Sequence, residues 1–140
     1  MIVIDTNIFS ALMSADHGID DWLTTISPSD LYTTSVTRAE IRYGIARLPH
    51  GRRRDDIEGR ADALFAEIDD RTLTFSSRAA DAYGDIVATR EHDGRPIGVL
   101  DAQIAAIARI HRAAVATRNV TDFEGCGVDV VNPYTAAGDH

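Results

Sequence analysis

The sequence predicts an α/β fold, a mainly parallel sheet covered on both faces by helices. Three observations predict it. Short apolar runs of β type alternate with longer stretches of helical periodicity along the 140 residues. Strands separated by helices need crossover connections, so they pair in parallel. The first run, Ile2-Val-Ile, is apolar and stops abruptly on Asp5, which reads as a short buried strand delivering a carboxylate to the edge of a sheet. The stretch 98–112 is apolar almost all round, as a buried helix is.

Strands are expected at 2–5, 31–34, 73–75, 113–117 and 128–131. Ile8, Phe9, Ala11, Leu12 and Met13 form a short helix after the first strand. A second helix is expected at 20–26, ended by Ser27-Pro28-Ser29. Over 36–48, Ile41, Ile45 and Leu48 make a helical stripe. Over 54–68 the stripe is Ile57, Ala61, Leu64, Phe65 and Ile68. Ser76 or Ser77 caps a helix over 76–91, with Ala79, Ala80, Tyr83, Ile86 and Val87 inward. The order is β-α-α-β-α-α-β-α-α-β-β. One domain is expected over 1–134, with 135–140 a frayed tail.

Composition narrows the function. Hydrophobic residues make up 44% and charged residues 26%, a globular balance. The apolar runs are too short to span a membrane, and no signal peptide is evident. A single cysteine, Cys126, forms no internal disulfide, so a cytoplasmic location is expected. The net charge of −8 argues against unaided nucleic-acid binding, unless acids cluster around bound cations. All fourteen basic residues are Arg.

Four acids sit where strands end and helices begin, and each has an ordinary structural explanation. Asp5 suits an N-cap for the helix that follows. Thr37 and Glu40 fit the spacing of a capping box. Asp101 suits the first turn of a helix, where the dipole favours an acid. Asn119 and Asp122 suit turns. Together they read differently. In a parallel sheet all four acids fall just past the carboxyl ends of strands, where such folds bind ligands. Converging carboxylates repel, and cations relieve that repulsion. All-oxygen donors suit Mg²⁺ or Mn²⁺. Such sites activate water for phosphodiester hydrolysis.

Four passages carry a family resemblance: Ile-Asp-Thr-Asn at the start, Thr-Arg-Ala-Glu-Ile-Arg-Tyr-Gly-Ile, Ile-Gly-Val-Leu-Asp-Ala-Gln-Ile-Ala-Ala-Ile-Ala, and Ala-Thr-Arg-Asn-Val-Thr-Asp-Phe-Glu-Gly. In this order they resemble PIN-domain ribonucleases, and more closely the VapC/FitB toxins of type II toxin–antitoxin pairs. Each passage is weakly specific, whereas the ordered set spans nearly the whole chain. The resemblance implies a three-layer α/β/α sandwich and Mg²⁺-dependent endoribonuclease activity, with Mn²⁺ as a substitute. Asp5 and Asp101 match the principal metal positions and Glu40 the third acid. The fourth corner falls to Asp122 or Asn119. Thr6 and Thr117 match hydroxyl positions beside the metal, and Asn7 a polar neighbour of Asp5. The resemblance also implies a homodimer and a cognate antitoxin laid along the acidic groove.

Arg52-Arg53-Arg54 is the one dense basic run. It is open to two readings: contact with an RNA backbone, or local pairing with Asp55, Asp56 and Glu58. Arg38 and Arg42 flank Glu40 and either touch RNA or balance the acids. The five histidines show no ligand spacing. Phosphatases of the haloacid-dehalogenase or receiver type also end a first strand on Asp, but they pair phosphate with Lys, and this chain has none. The alternatives that stand are an RNA-processing nuclease without an antitoxin and a catalytically silent binding module.

Overall fold

In the computed structural model, which describes residues 1–135, five parallel strands form one sheet in the order β3-β2-β1-β4-β5. The elements are β1 (Ile2–Ile4), α1 (Thr6–Met13), α2 (Asp20–Leu23), β2 (Leu31–Thr34), α3 (Ser35–Ala46), α4 (Arg52–Ile68), β3 (Thr72–Leu73), α5 (Ser77–His92), α6 (Val99–Ile110), β4 (Ala114–Ala116) and β5 (Val130–Val131). Short 3-10 turns join several of them, including one over Val120–Phe123. This is the predicted three-layer α/β/α sandwich, with strands and helices in the predicted order. The tail expected at 135–140 lies, apart from Thr135, outside the described residues.

The pleat assigns alternate residues of each strand to opposite cores. Val3 and Val115 pack with Ala79, Ile86, Ile104 and Phe123 under α5 and α6. Ile4 and Ala116 pack with Ile8, Phe9 and Phe65 under α1 and α4. Covered on both faces, β1 has no room for a polar residue until it ends. The rings of Phe9 and Phe65 stack with centroids 4.7 Å apart and tie α1 to α4. On α6, Ala102, Ala105, Ala106 and Ala108 are buried, so the helix packs closely against its neighbours.

Several boundaries differ from expectation: β4 and β5 are shorter than predicted, α3 spans Ser35–Ala46 and α4 begins at Arg52, and for two elements the cause is visible. The helix predicted at 20–26 ends at Leu23, because the hydroxyls of Thr24 and Thr25 donate to the Asp21 and Trp22 carbonyls at 2.6 Å each. Such bonds compete with helix propagation. The strand predicted at 73–75 is only Thr72–Leu73. There the Ser76 N–H donates to the Thr74 carbonyl (2.9 Å), turning the chain into the cap of α5. Ser76 then accepts from the Ala79 N–H at 3.2 Å, as expected of a cap.

The sheet order positions the site. From β1 the chain runs outward to β2 and β3, then returns to the other side of β1 as β4. The crevice between β1 and β4 at the carboxyl edge is therefore a topological switch point, the usual ligand position in such sheets. Ile4 pairs with Ala116 in register, and the Asp5 N–H donates to the Ala116 carbonyl at 2.8 Å. Asp5 and Thr117 thus leave the sheet side by side. Among the described residues no helix is long and apolar enough to cross a membrane.

Candidate active site

Asp5 is buried at the switch point, and every bond it makes follows from the strand ends around it. One carboxylate oxygen accepts the Thr6 N–H at 2.8 Å and caps α1. The other accepts the Thr117 hydroxyl at 2.9 Å and the Asn7 amide at 3.2 Å. The cap and the site are thus the same carboxylate. Burial pushes its pKa up, against the three hydrogen bonds, and the charge of Asp122 pushes it further. Thr117 and Asn7 are themselves held: the Asn119 N–H donates to the Thr117 hydroxyl (3.0 Å), and the Arg118 N–H to the Asn7 side-chain Oδ1 (3.2 Å).

Glu40 reaches the site from α3, and here the capping-box expectation fails. The cap of α3 is Thr34, three residues earlier, whose hydroxyl accepts the Thr37 N–H at 3.1 Å. Because β2 runs straight into α3, the helix starts before the Thr-x-x-Glu spacing and leaves Glu40 well inside it. Glu40 is therefore free to turn toward α1. Its Oε1 accepts the Thr6 hydroxyl at 2.7 Å, and the Thr6 and Thr37 hydroxyls lie 3.0 Å apart. Thr6 thereby links Asp5 to Glu40, through its N–H on one side and its hydroxyl on the other.

Asp101 stands in the first turn of α6, whose N-terminal residue Gly98 offers no side-chain cap. Its pKa is pushed up to about 6, first by burial and then by the charges of Asp5, Asp122 and Glu40. The four acids come from four separate elements, yet each of the other three is felt at Asp101. At the fourth corner, Asp122 sits on the turn over Val120–Phe123 and its charge acts on both Asp5 and Asp101. Asn119 is exposed at the start of that turn and makes no side-chain cap bond there.

Among the described residues, no group of three or more His, Cys, Asp or Glu side chains is arranged to hold a metal ion as it stands. The four acids expected as a metal set are therefore near one another without forming a closed cage. The donor set still fits Mg²⁺, which retains several waters and takes only one or two carboxylates directly.

Most of the arginines singled out in the sequence are engaged elsewhere. Arg38 and Arg42 lie over the Phe65 ring, 4.7 and 4.9 Å from its centroid. Arg42 also pairs with Asp62 at 2.7 Å. Arg54 donates to the Leu48 carbonyl at 3.2 Å, satisfying the end of α3. Arg52 and Arg53 are exposed. Among the described residues none of the three pairs with Asp55, Asp56 or Glu58; Asp56 is taken by Arg60 at 3.3 Å.

The PIN domain family model matches residues 2–124. The chain belongs to the PIN-domain family. It is 36% identical to the VapC ribonuclease Y4jK of Sinorhizobium fredii, over 98% of this chain and 100% of that one. It is 32% identical to Toxin FitB of Neisseria gonorrhoeae, over 96% of this chain and 99% of that one. The structure of FitAcB from Neisseria gonorrhoeae superposes with a TM-score of 0.87 at 31% identity, covering 96% of this chain and 99% of that one.

Two residues of this PIN domain escaped the reading of the sequence. Arg118 follows Thr117, and its guanidinium lies 4.3 Å over the Tyr134 ring. The Tyr134 hydroxyl donates to Asp16 at 2.9 Å, which anchors that ring. Arg90 is buried in the last turn of α5 and donates to the carbonyls of Arg95, Asp122 and Glu124. A signal for it existed: Arg90 continues the apolar spacing of Ala79, Tyr83 and Ile86. A charged residue in a core stripe asks for a partner. Cys126 is buried in the core beside Arg90.

Proposed function

We propose that this chain is a metal-dependent endoribonuclease toxin, cleaving RNA phosphodiesters at the β1–β4 crevice and neutralised by a cognate antitoxin. The observation that carries the reading is the convergence of Asp5, Glu40, Asp101 and Asp122 from four elements on one switch point, in a chain whose relatives are named as a ribonuclease and a toxin. Asp5 and Asp101 would hold Mg²⁺ or Mn²⁺ directly, with Glu40 and Asp122 acting through water. Bound there, the ion supplies Lewis acidity, lowering the pKa of a water and neutralising charge on the phosphate. Thr117 and Asn7 orient Asp5 by donating to one oxygen. Glu40, an acceptor for Thr6, keeps its second oxygen to orient the attacking water. RNA cleavage should require added Mg²⁺ and stop in EDTA; cleavage that persists in EDTA would overturn the metal mechanism.

A groove of about 510 Å³ between α1, α3 and α4 supports the antitoxin part of the reading. Thr6 and Glu40 stand at its acidic end, and Ile41, Ile45, Leu48 and Ile57 form an apolar wall. Arg53 and Arg60 line it as well, so an apolar segment with a basic side chain at the Glu40 end and an acid near the arginines complements such a groove. Co-expression with the protein encoded next door should give a tight, inactive complex, and a neighbour that does not bind would leave a nuclease without an antitoxin. The same reading includes a homodimer, and Tyr43, Val99 and Leu100 are large apolar side chains exposed to meet a second copy.

Arg118 is the cation best placed for the RNA phosphate. Among the described residues it has no ion pair, and stacking on Tyr134 holds it beside Thr117. Arg118→Ala should weaken RNA binding roughly tenfold and flatten its salt dependence by about one ion. An unchanged salt slope in a filter-binding series would exclude the contact.

A further inference from the structure

Among the described residues Arg90 is the one buried basic side chain. It is only 5% exposed, and among the described residues it has no carboxylate partner within ion-pair distance. Its donors go to main-chain carbonyls of two separate loops. Nε donates to the Arg95 carbonyl at 2.6 Å. Nη1 donates to the Asp122 and Glu124 carbonyls at 2.9 Å each, with the Cys126 sulfur at 3.7 Å. The Arg95 N–H returns to the Arg90 carbonyl at 2.8 Å, so Arg90 and Arg95 hold each other twice. Arg95 stands three residues before Gly98, where α6 begins and brings in Asp101. At the surface the same two loops are joined again by Arg95 and Glu124, at 2.8 Å.

We infer that Arg90 is a positioning residue for the acidic site: one buried guanidinium fixes Asp122 and the loop that launches Asp101 relative to each other. This rests on the metal-binding reading above. The planar fork presents its donors at fixed angles, so it sets the separation of the carbonyls it binds in a way a single-point donor does not. Asp122 lies on a short turn with no regular ladder to hold it, and the carbonyl bonded by Arg90 is its own. Gly125, at φ +75°, completes the loop where it folds against Arg90: a Cβ there would lie 3.7 Å from the Arg90 Cδ. Two acids from distant parts of the chain are thereby set by one side chain that touches neither carboxylate.

The test is calorimetric titration of Mn²⁺ into the full chain, wild type and Arg90→Gln, with the melting temperature of each measured in EDTA. Arg90→Gln, kept at a temperature where circular dichroism shows it folded, should bind Mn²⁺ roughly 10- to 100-fold more weakly, as loss of an outer supporting contact does elsewhere. A merely structural role lowers the melting temperature and leaves the affinity of the folded protein unchanged; that result would overturn the inference. If Arg90→Gln does not fold, Arg90→Lys takes its place. It keeps the buried charge but loses the planar fork, and should weaken Mn²⁺ binding a few-fold in the folded protein. An unchanged affinity there also overturns the inference. Wild-type protein that binds no Mn²⁺ overturns the metal reading itself, and the positioning role with it.

Discussion

Asp101→Asn is expected to reduce RNA cleavage by at least about a thousandfold while raising the melting temperature of the metal-free protein. The two effects have one origin. In the proposed mechanism the carboxylate holds the cation, and several kcal/mol of transition-state stabilisation would go with that cation. Without the cation the same charge sits half-buried, and burial first, then the charges of Asp5, Asp122 and Glu40, push its pKa up from 3.8 to about 6. A carboxyl whose folded pKa is raised stabilises the fold while it is protonated. Its contribution is complete below pH 3.8 and is lost as pH rises through about 6. Metal-free wild type should therefore lose stability across that window, and Asp101→Asn should lose less. Water screens the half-exposed carboxyl, so the difference at neutral pH should be about 1 kcal/mol, or roughly 3 °C. Thermal melts in EDTA at several pH values check this. Parallel profiles for the two proteins would show that the acids do not repel as described, and undiminished cleavage by the variant would sink the mechanism.

The largest loss of stability is expected from Phe65→Ala. Phe65 is buried on α4, stacked on Phe9 with centroids 4.7 Å apart. Its removal leaves a cavity between α1 and α4, and substitutions of this kind cost about 3–5 kcal/mol. The melting temperature should fall by roughly 10–15 °C. A further consequence sets this position apart from an ordinary core residue. Arg38 and Arg42 both rest on the Phe65 ring, so its loss removes one support from two guanidinium groups on the helix that carries Glu40 and leaves them only their pairs with Asp69 and Asp62. Phe65→Leu should cost much less, because most of the volume is kept. Chemical denaturation of both variants checks the pair; a loss below about 1 kcal/mol for Phe65→Ala would show that α4 adds little to the core.

Much of the fold was legible because its signals are local. Ile2-Val-Ile before Asp5 carries a buried strand and its end in four residues. The all-round apolar character of 98–112 marks a buried helix without reference to any other segment. Boundaries were less legible where a hydroxyl competes with the main chain. Thr24 and Thr25 end α2 early by bonds that composition does not reveal. The capping box at Thr37 failed for a related reason: Thr34 is an equally good cap, and only the end of β2 decides where α3 starts.

The site divides along the same line. The residue types and their order in the chain, with Asp5, Glu40, Asp101 and Asp122 each past a strand or at a helix start, are properties of the sequence alone. So is the family to which the ordered motifs point. What only the tertiary structure decided is how those residues bear on one another. Thr6 joins Asp5 to Glu40 across 34 positions of sequence. Asp122 lies close enough for its charge to act on Asp5 and Asp101, while Asn119 is exposed. Arg38 and Arg42 spend their charge over an aromatic ring, and Arg90 holds together two loops that nothing in their sequence links. The physical reason is the range of the forces involved. Helix and strand patterns follow from side-chain burial within one segment, whereas a hydrogen bond or a carboxylate's repulsion depends on ångström-scale distances between segments that only folding brings together.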